Sequence, residues 1–132
     1  MDMYQETILE HYRHPQHKGA IDGADASAED SNPLCGDVIK FQMKIENNTV
    51  TDIKFSGSGC AISQASADML SGMAKGRKLE DAARISKSDI LEELGIEISP
   101  VRLKCALLCL KVMKLGLYSY MGRKDDVDNE IE

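Results

Sequence analysis

The 132-residue chain has no tryptophan, two phenylalanines and four tyrosines, so aromatic residues make up only 5% of it. Its core must therefore be aliphatic, helped by seven methionines, which fill space adaptably but specify packing weakly. Basic residues are outnumbered: 16 Lys and Arg stand against 22 Asp and Glu, a net charge of −6. Binding to nucleic acid needs a basic surface, which excludes nucleic acid as the main partner. No apolar run approaches the roughly 20 residues of a membrane-spanning helix. The opening MDMYQETILEHYRH lacks a basic stretch followed by an apolar one, and carries acids that an import peptide avoids. A cytoplasmic protein with no membrane partner is expected. Also missing are the C-x-x-C pairs of zinc ribbons, ferredoxins and thioredoxins, and a Gly-rich phosphate loop ending in Lys-Ser/Thr. The four cysteines present are then notable, because where thiols stay reduced they point to metal or catalysis before disulfides.

The length fits one domain, placed at residues 1–123, with 124–132 read as an acidic, disordered tail. Tyr4, Ile8 and Tyr12 recur at helical spacing over Met3 to Arg13, and Pro15 ends that helix. His11, His14 and His17 follow at intervals of three. They are expected to sit exposed at the helix end rather than to bind a metal. Residues 19–33 read as loop with one weak edge strand. From Val38 to Glu46, Ile39, Phe41, Met43 and Ile45 alternate with polar residues, the period-two pattern of a half-buried strand. Asn47-Asn48 suits a tight turn, and Val50 to Phe55 completes a hairpin. Helices are expected over Cys60–Lys75, Leu79–Ile85 and Ser88–Leu94, the last closed by Gly95. A final helix begins at Ser99-Pro100, with Ser as N-cap and Pro in first position, and runs to Met121 with Gly122 as its cap. Hairpin first and helices later predicts an α+β fold: a small antiparallel sheet of about three strands, helices on one face, and a metal or cluster site at one end.

Three cysteines fall at or near element boundaries. Cys35 lies in Asn32-Pro33-Leu34-Cys35-Gly36-Asp37, Cys60 in Gly57-Ser58-Gly59-Cys60-Ala61, and Cys105 in the first third of the last helix. Folding the helices onto the sheet could bring them to one edge. If the stretch from Cys35 to Asp37 is extended, both side chains project to the same side. Three thiolates and a carboxylate suffice to close a tetrahedral zinc site or to terminate a two-iron cluster. Soft thiolates select zinc, copper(I) or iron–sulfur over magnesium or calcium. The harder carboxylate should exchange more readily on iron, which suits a temporary holder better than an electron carrier. Gly36, Gly57 and Gly59 would let backbone amides approach sulfur, and a helix starting at Cys60 would place that sulfur at its positive end. Any single cysteine is more often a small buried hydrophobe than a ligand. Cys109, among Leu107, Leu108, Leu110, Val112 and Met113, reads as core, although it shares a helical face with Cys105 and could resolve a persulfide. Lys104 reads as a solvated lysine.

At these residues the chain resembles the U-type iron–sulfur assembly scaffold family of IscU, SufU and the N-terminal domain of NifU. Cys35-Gly36-Asp37, Gly59-Cys60-Ala61-Ile62-Ser63 and Ser99-Pro100-Val101-Arg102-Leu103-Lys104-Cys105 carry the resemblance, with His11-Tyr12-Arg13-His14-Pro15 and Gly19 as a weaker match. The resemblance implies a carrier rather than an enzyme. It would accept persulfide sulfur from a PLP-dependent cysteine desulfurase, assemble a [2Fe–2S] cluster on Cys35, Asp37, Cys60 and Cys105, and pass it to apo iron–sulfur proteins as a monomer or cluster-linked dimer. Cys35 and Cys105 are the candidate persulfide acceptors, and Asp37 keeps the cluster labile. In the IscU branch a His precedes the third cysteine; here it is Lys104, which could balance charge near the site. Lys-Cys resembles the SufU branch, where the same ligands hold zinc and sulfur is relayed, but that branch has an insertion between its second and third cysteines that this chain lacks. A zinc-dependent sulfurtransferase and a structural zinc domain are the alternatives. Ile98-Ser99-Pro100-Val101-Arg102 resembles the segment that Hsp70-type chaperones grip, making Pro100 and Val101 candidate contacts.

Overall fold

The computed structural model describes residues 3–33, 36–95 and 97–122, of which residues 3–5 and 101 are described in the backbone only. In order, the elements are α1 (Met3–Arg13), β1 (Ala26–Asn32), β2 (Asp37–Glu46), β3 (Thr49–Ser58), α2 (Ala61–Ala74), α3 (Leu79–Ala83), α4 (Lys87–Leu94) and α5 (Pro100–Met121). The strands form one antiparallel sheet in the order β1-β2-β3. This is the expected α+β architecture. The tail at 124–132 lies outside the described residues.

The hairpin follows its residues closely. Asn47 and Asn48 both take the left-handed conformation (φ 51° and 61°), which a two-residue turn matched to strand twist requires and Asn tolerates. Ile39, Phe41, Met43 and Ile45 of β2 join Val50, Ile53 and Phe55 of β3 on the buried face, where Phe41 and Phe55 pair across the strands with ring centroids 6.5 Å apart. Leu70 of α2 and Leu110, Met113 and Leu117 of α5 belong to the same core. α5 lies close on the sheet because Gly116 has no side chain: a Cβ there would come within 2.9 Å of Met43 Cε. Two lysines of α5 add polar ties, Lys111 to Asp30 of β1 at 3.0 Å and buried Lys114 to the Ala83 carbonyl ending α3, also at 3.0 Å.

The segment before β1 is ordered, and it crosses the other face of the sheet. Lys18 bridges to Phe55 on the side of β3 away from β2, through Gly19 N–H to Phe55 O (2.8 Å) and Phe55 N–H to His17 O (2.9 Å). Ile21 then exchanges two hydrogen bonds with the Gln42 side chain, and the Gly23 carbonyl accepts from Lys44 Nζ.

The three histidines divide. His14 is exposed, as expected. His11 and His17 are half-buried instead, because the carboxylate of Asp68, only 1% exposed on α2, needs donors. Asp68 Oδ2 shares a 2.6 Å hydrogen bond with His11 Nδ1, and its Oδ1 accepts the N–H groups of Gln16 and His17 at 2.9 Å each. α1 and its exit are thereby fastened to α2.

Burial pushes the His17 imidazole below its ordinary value of 6.5, opposed by Asp68 and helped by Lys54 and Lys75. The unfolded chain then takes up this proton first, so the stability tied to neutral His17 is complete above pH 6.5 and declines as the pH falls toward the folded-state value. His17→Gln should flatten this part of the decline below pH 6.5, measured as denaturation midpoints across a pH series.

Candidate metal centre

The site forms where the start of β2, the start of α2 and the second turn of α5 meet. Asp37 opens β2 and is 1% exposed, continuing the inward-facing register of Ile39 and Phe41. Its Oδ1 accepts the Cys60 N–H at 3.0 Å, and its Oδ2 lies 3.9 Å from Cys60 Sγ. Gly59 makes this approach possible, since a Cβ on it would sit 2.8 Å from Asp37 Cγ. Glycine therefore admits a carboxylate here; the amide that reaches a sulfur comes from α2. Cys60 is the N-cap of that helix, half-buried, and its Sγ accepts the Ser63 N–H at 3.4 Å. Cys105 arrives on α5 and is 1% exposed.

One ligand atom from each of Asp37, Cys60 and Cys105 lies within 4.8 Å of the others. Zinc–sulfur bonds of about 2.3 Å at tetrahedral angles set sulfurs about 3.8 Å apart. A contraction of roughly one ångström thus lets these donors share a metal, and two thiols with a carboxylate are chemically suited to zinc or iron.

The other sequence candidates separate clearly. Cys35 lies outside the described residues, as does the Val101 side chain. Gly36 has a left-handed backbone (φ 72°) with its N–H on the Asn32 carbonyl at 2.8 Å, so the segment turns there instead of running extended. Lys104 and Pro100 are exposed on α5. Cys109 is buried in the core, its Sγ 3.4 Å from the Ala106 carbonyl, and desolvation pushes its thiol up to about 12. Such a thiol is inert. Sequence reasoning passed over Ser63 as an individual residue, although its position three after an N-cap cysteine marks it as a neighbour of that sulfur.

Residues 3–127 match the family described as NifU-like N terminal domain. The chain is 35% identical to the zinc-dependent sulfurtransferase SufU of Bacillus subtilis over 138 aligned positions, covering 91% of this chain and 92% of the relative. It is 32% identical to the iron–sulfur cluster assembly scaffold protein IscU of Escherichia coli over 126 positions, 92% and 97% of the two chains. The crystal structure of a NifU-like N-terminal protein from Brucella abortus shares the fold, with a TM-score of 0.73 at 22% identity over 92% of this chain and 96% of that one. The architecture is that of a NifU-like N-terminal domain. The chain belongs to the iron–sulfur cluster assembly scaffold family that includes IscU and SufU.

Gly59→Ala should drive a methyl group into Asp37 and break its bond to Cys60. The expected cost is about 1–3 kcal/mol in a denaturant titration, together with weaker zinc binding in a chelator competition.

Proposed function

We propose that this protein accepts sulfur from a cysteine desulfurase as persulfide on Cys35 or Cys105, assembles a [2Fe–2S] cluster on Cys35, Asp37, Cys60 and Cys105, and delivers it to apo iron–sulfur proteins. The observation that carries the reading is the convergence of Asp37, Cys60 and Cys105, from three separate elements, within 4.8 Å. Cys35 stands two residues before Asp37 in sequence. Asp37 is the ligand that keeps the cargo exchangeable, since a carboxylate holds thiophilic iron less firmly than a fourth thiolate.

Membership of a family containing both IscU and SufU supports the partners, a PLP-dependent desulfurase and apo-protein recipients. Among the described residues no helix is long and apolar enough to cross a membrane, in keeping with work in the cytoplasm. Ser99 and Pro100 are exposed at the start of α5, where Pro100 and Val101 would meet an Hsp70-type chaperone. The cluster is held in one chain or between two.

A second reading, a zinc-dependent sulfurtransferase, is favoured by Lys104 beside Cys105 and by the resemblance to SufU. Against it, the SufU alignment takes 138 positions, more than the 132 residues of this chain, so SufU carries residues that are absent here. The IscU alignment takes 126.

Anaerobic reconstitution with ferrous iron, cysteine, a desulfurase and excess thiol reductant, which supplies the electrons that turn persulfide sulfur into sulfide, should give visible thiolate-to-iron charge-transfer bands, and the cluster should move to apo-ferredoxin. Colourless protein retaining stoichiometric zinc, which raises desulfurase turnover and loses that effect in Cys35→Ala, would establish the sulfurtransferase instead. Asp37→Ala should lengthen cluster lifetime and slow transfer, followed by the decay of the visible bands; an unchanged transfer rate would remove Asp37 from the release step.

A further inference from the structure

The buried serines of α2 differ in one respect. Ser66 and Ser71 donate their hydroxyls to carbonyls one turn back, Ile62 O at 2.7 Å and Ala67 O at 2.8 Å. Ser63 is 0% exposed, yet its Oγ has no hydrogen-bond partner. The residue one turn back is Gly59, which precedes the helix, and the Cys60 carbonyl already accepts Gln64 N–H at 3.1 Å. A buried hydroxyl in this condition is costly and uncommon.

A second helix of the same chain shows what such a position ordinarily does. In α4 the N-cap Ser86 and the third helical residue Asp89 form a reciprocal pair: Asp89 N–H donates to Ser86 Oγ at 3.2 Å, and Ser86 N–H donates to Asp89 Oδ2 at 2.8 Å. In α2 the N-cap is Cys60 and the third residue is Ser63. The first half of the pair is present, Ser63 N–H on Cys60 Sγ. The second half is not, because the Cys60 N–H is given to Asp37 Oδ1. A carboxylate from β2 occupies the place that the third residue's own side chain fills in α4, and leaves the Ser63 hydroxyl over. Gln64, whose carboxamide is also unpartnered, shares the stripe of Asp68 that faces α1 and does not compete for this bond.

We propose that Ser63 is a positioning residue whose Oγ is the alternate acceptor for the Cys60 N–H. It takes that bond when Asp37 turns its carboxylate to an incoming metal or cluster, and returns it when the cargo leaves. The Cys60 amide is paired in both states, so the start of α2 and the Cys60 sulfur stay in place while Asp37 alone exchanges partners. The inference rests on Asp37 being a ligand, as in the function proposed above.

Zinc alone is the probe. In the metal-free protein Ser63→Ala removes a hydroxyl that bonds to nothing, so the melting temperature should hold or rise. Zinc affinity, measured by competition with a chromophoric chelator, should fall by about three- to tenfold. Hydrogen exchange at the Cys60 amide gives a readout independent of affinity. In zinc-loaded wild-type protein that amide should remain protected, and in zinc-loaded Ser63→Ala it should exchange faster. Equal zinc affinity with unaltered Cys60 protection would overturn the proposal, and so would a metal-free variant that melts lower, or a wild-type Cys60 amide that loses protection when zinc binds. Wild-type protein that binds neither zinc nor a cluster through its thiols would overturn the functional reading itself, and this proposal with it.

Discussion

One hydrogen bond, from the Cys60 amide to the Asp37 carboxylate, fixes the corner at which the candidate ligands meet. It joins the first residue of β2 to the cap of α2. An ionised acceptor strengthens such a bond. The bond in turn requires a bare backbone at Gly59, so the glycine before the cysteine and the aspartate in the strand form a single structural requirement. The third donor reaches the corner by a different route. Cys105 is carried by α5, whose height above the sheet is set by Gly116 against Met43 and which Lys111 ties to β1 and Lys114 to the end of α3. A polar clamp locates two donors, and core packing locates the third.

This division suits the transient holding proposed above. Asp37 and Cys105 are buried while Cys60 is half-buried, so the corner is approached from the Cys60 side. The donors are close but not contracted to bonding distance. In the function proposed above, loading the site needs little reorganisation, and the carboxylate has a protein partner to return to when the site empties.

Much of this was legible in the sequence, and the reasons are specific. Alternation over Ile39–Ile45 dictates a strand with one wet face, Asn47-Asn48 the turn, and Ser99-Pro100, Gly95 and Gly122 the helix ends, since each rests on local stereochemistry. The cysteine and aspartate motifs marked the corner. β1 was harder to read because ASAEDSN has no β-branched residue; it is a strand because it pairs with β2 and because small Ala28 fits beneath Gly116. The His11–Asp68 bond spans 57 positions, a separation at which residue spacing carries no information. Ser86 with Asp89 was a readable capping pattern, and it moves the start of α4 ahead of Ser88. The turn at Gly36 was also open to reading, as glycine between a cysteine and a strand is the residue best able to reverse direction.

The strap that crosses the outer face of the sheet bears on solubility. Exposed strand edges recruit other strands and seed aggregates. On the β3 side, residues 17–19 already occupy backbone groups of Phe55. On the β1 side, the Ser31 N–H is turned onto the Asp30 carboxylate at 2.8 Å, with Glu29 exposed beside it. One border is covered by the chain itself and the other carries charge, so neither offers its neighbours a bare apolar template for strand addition.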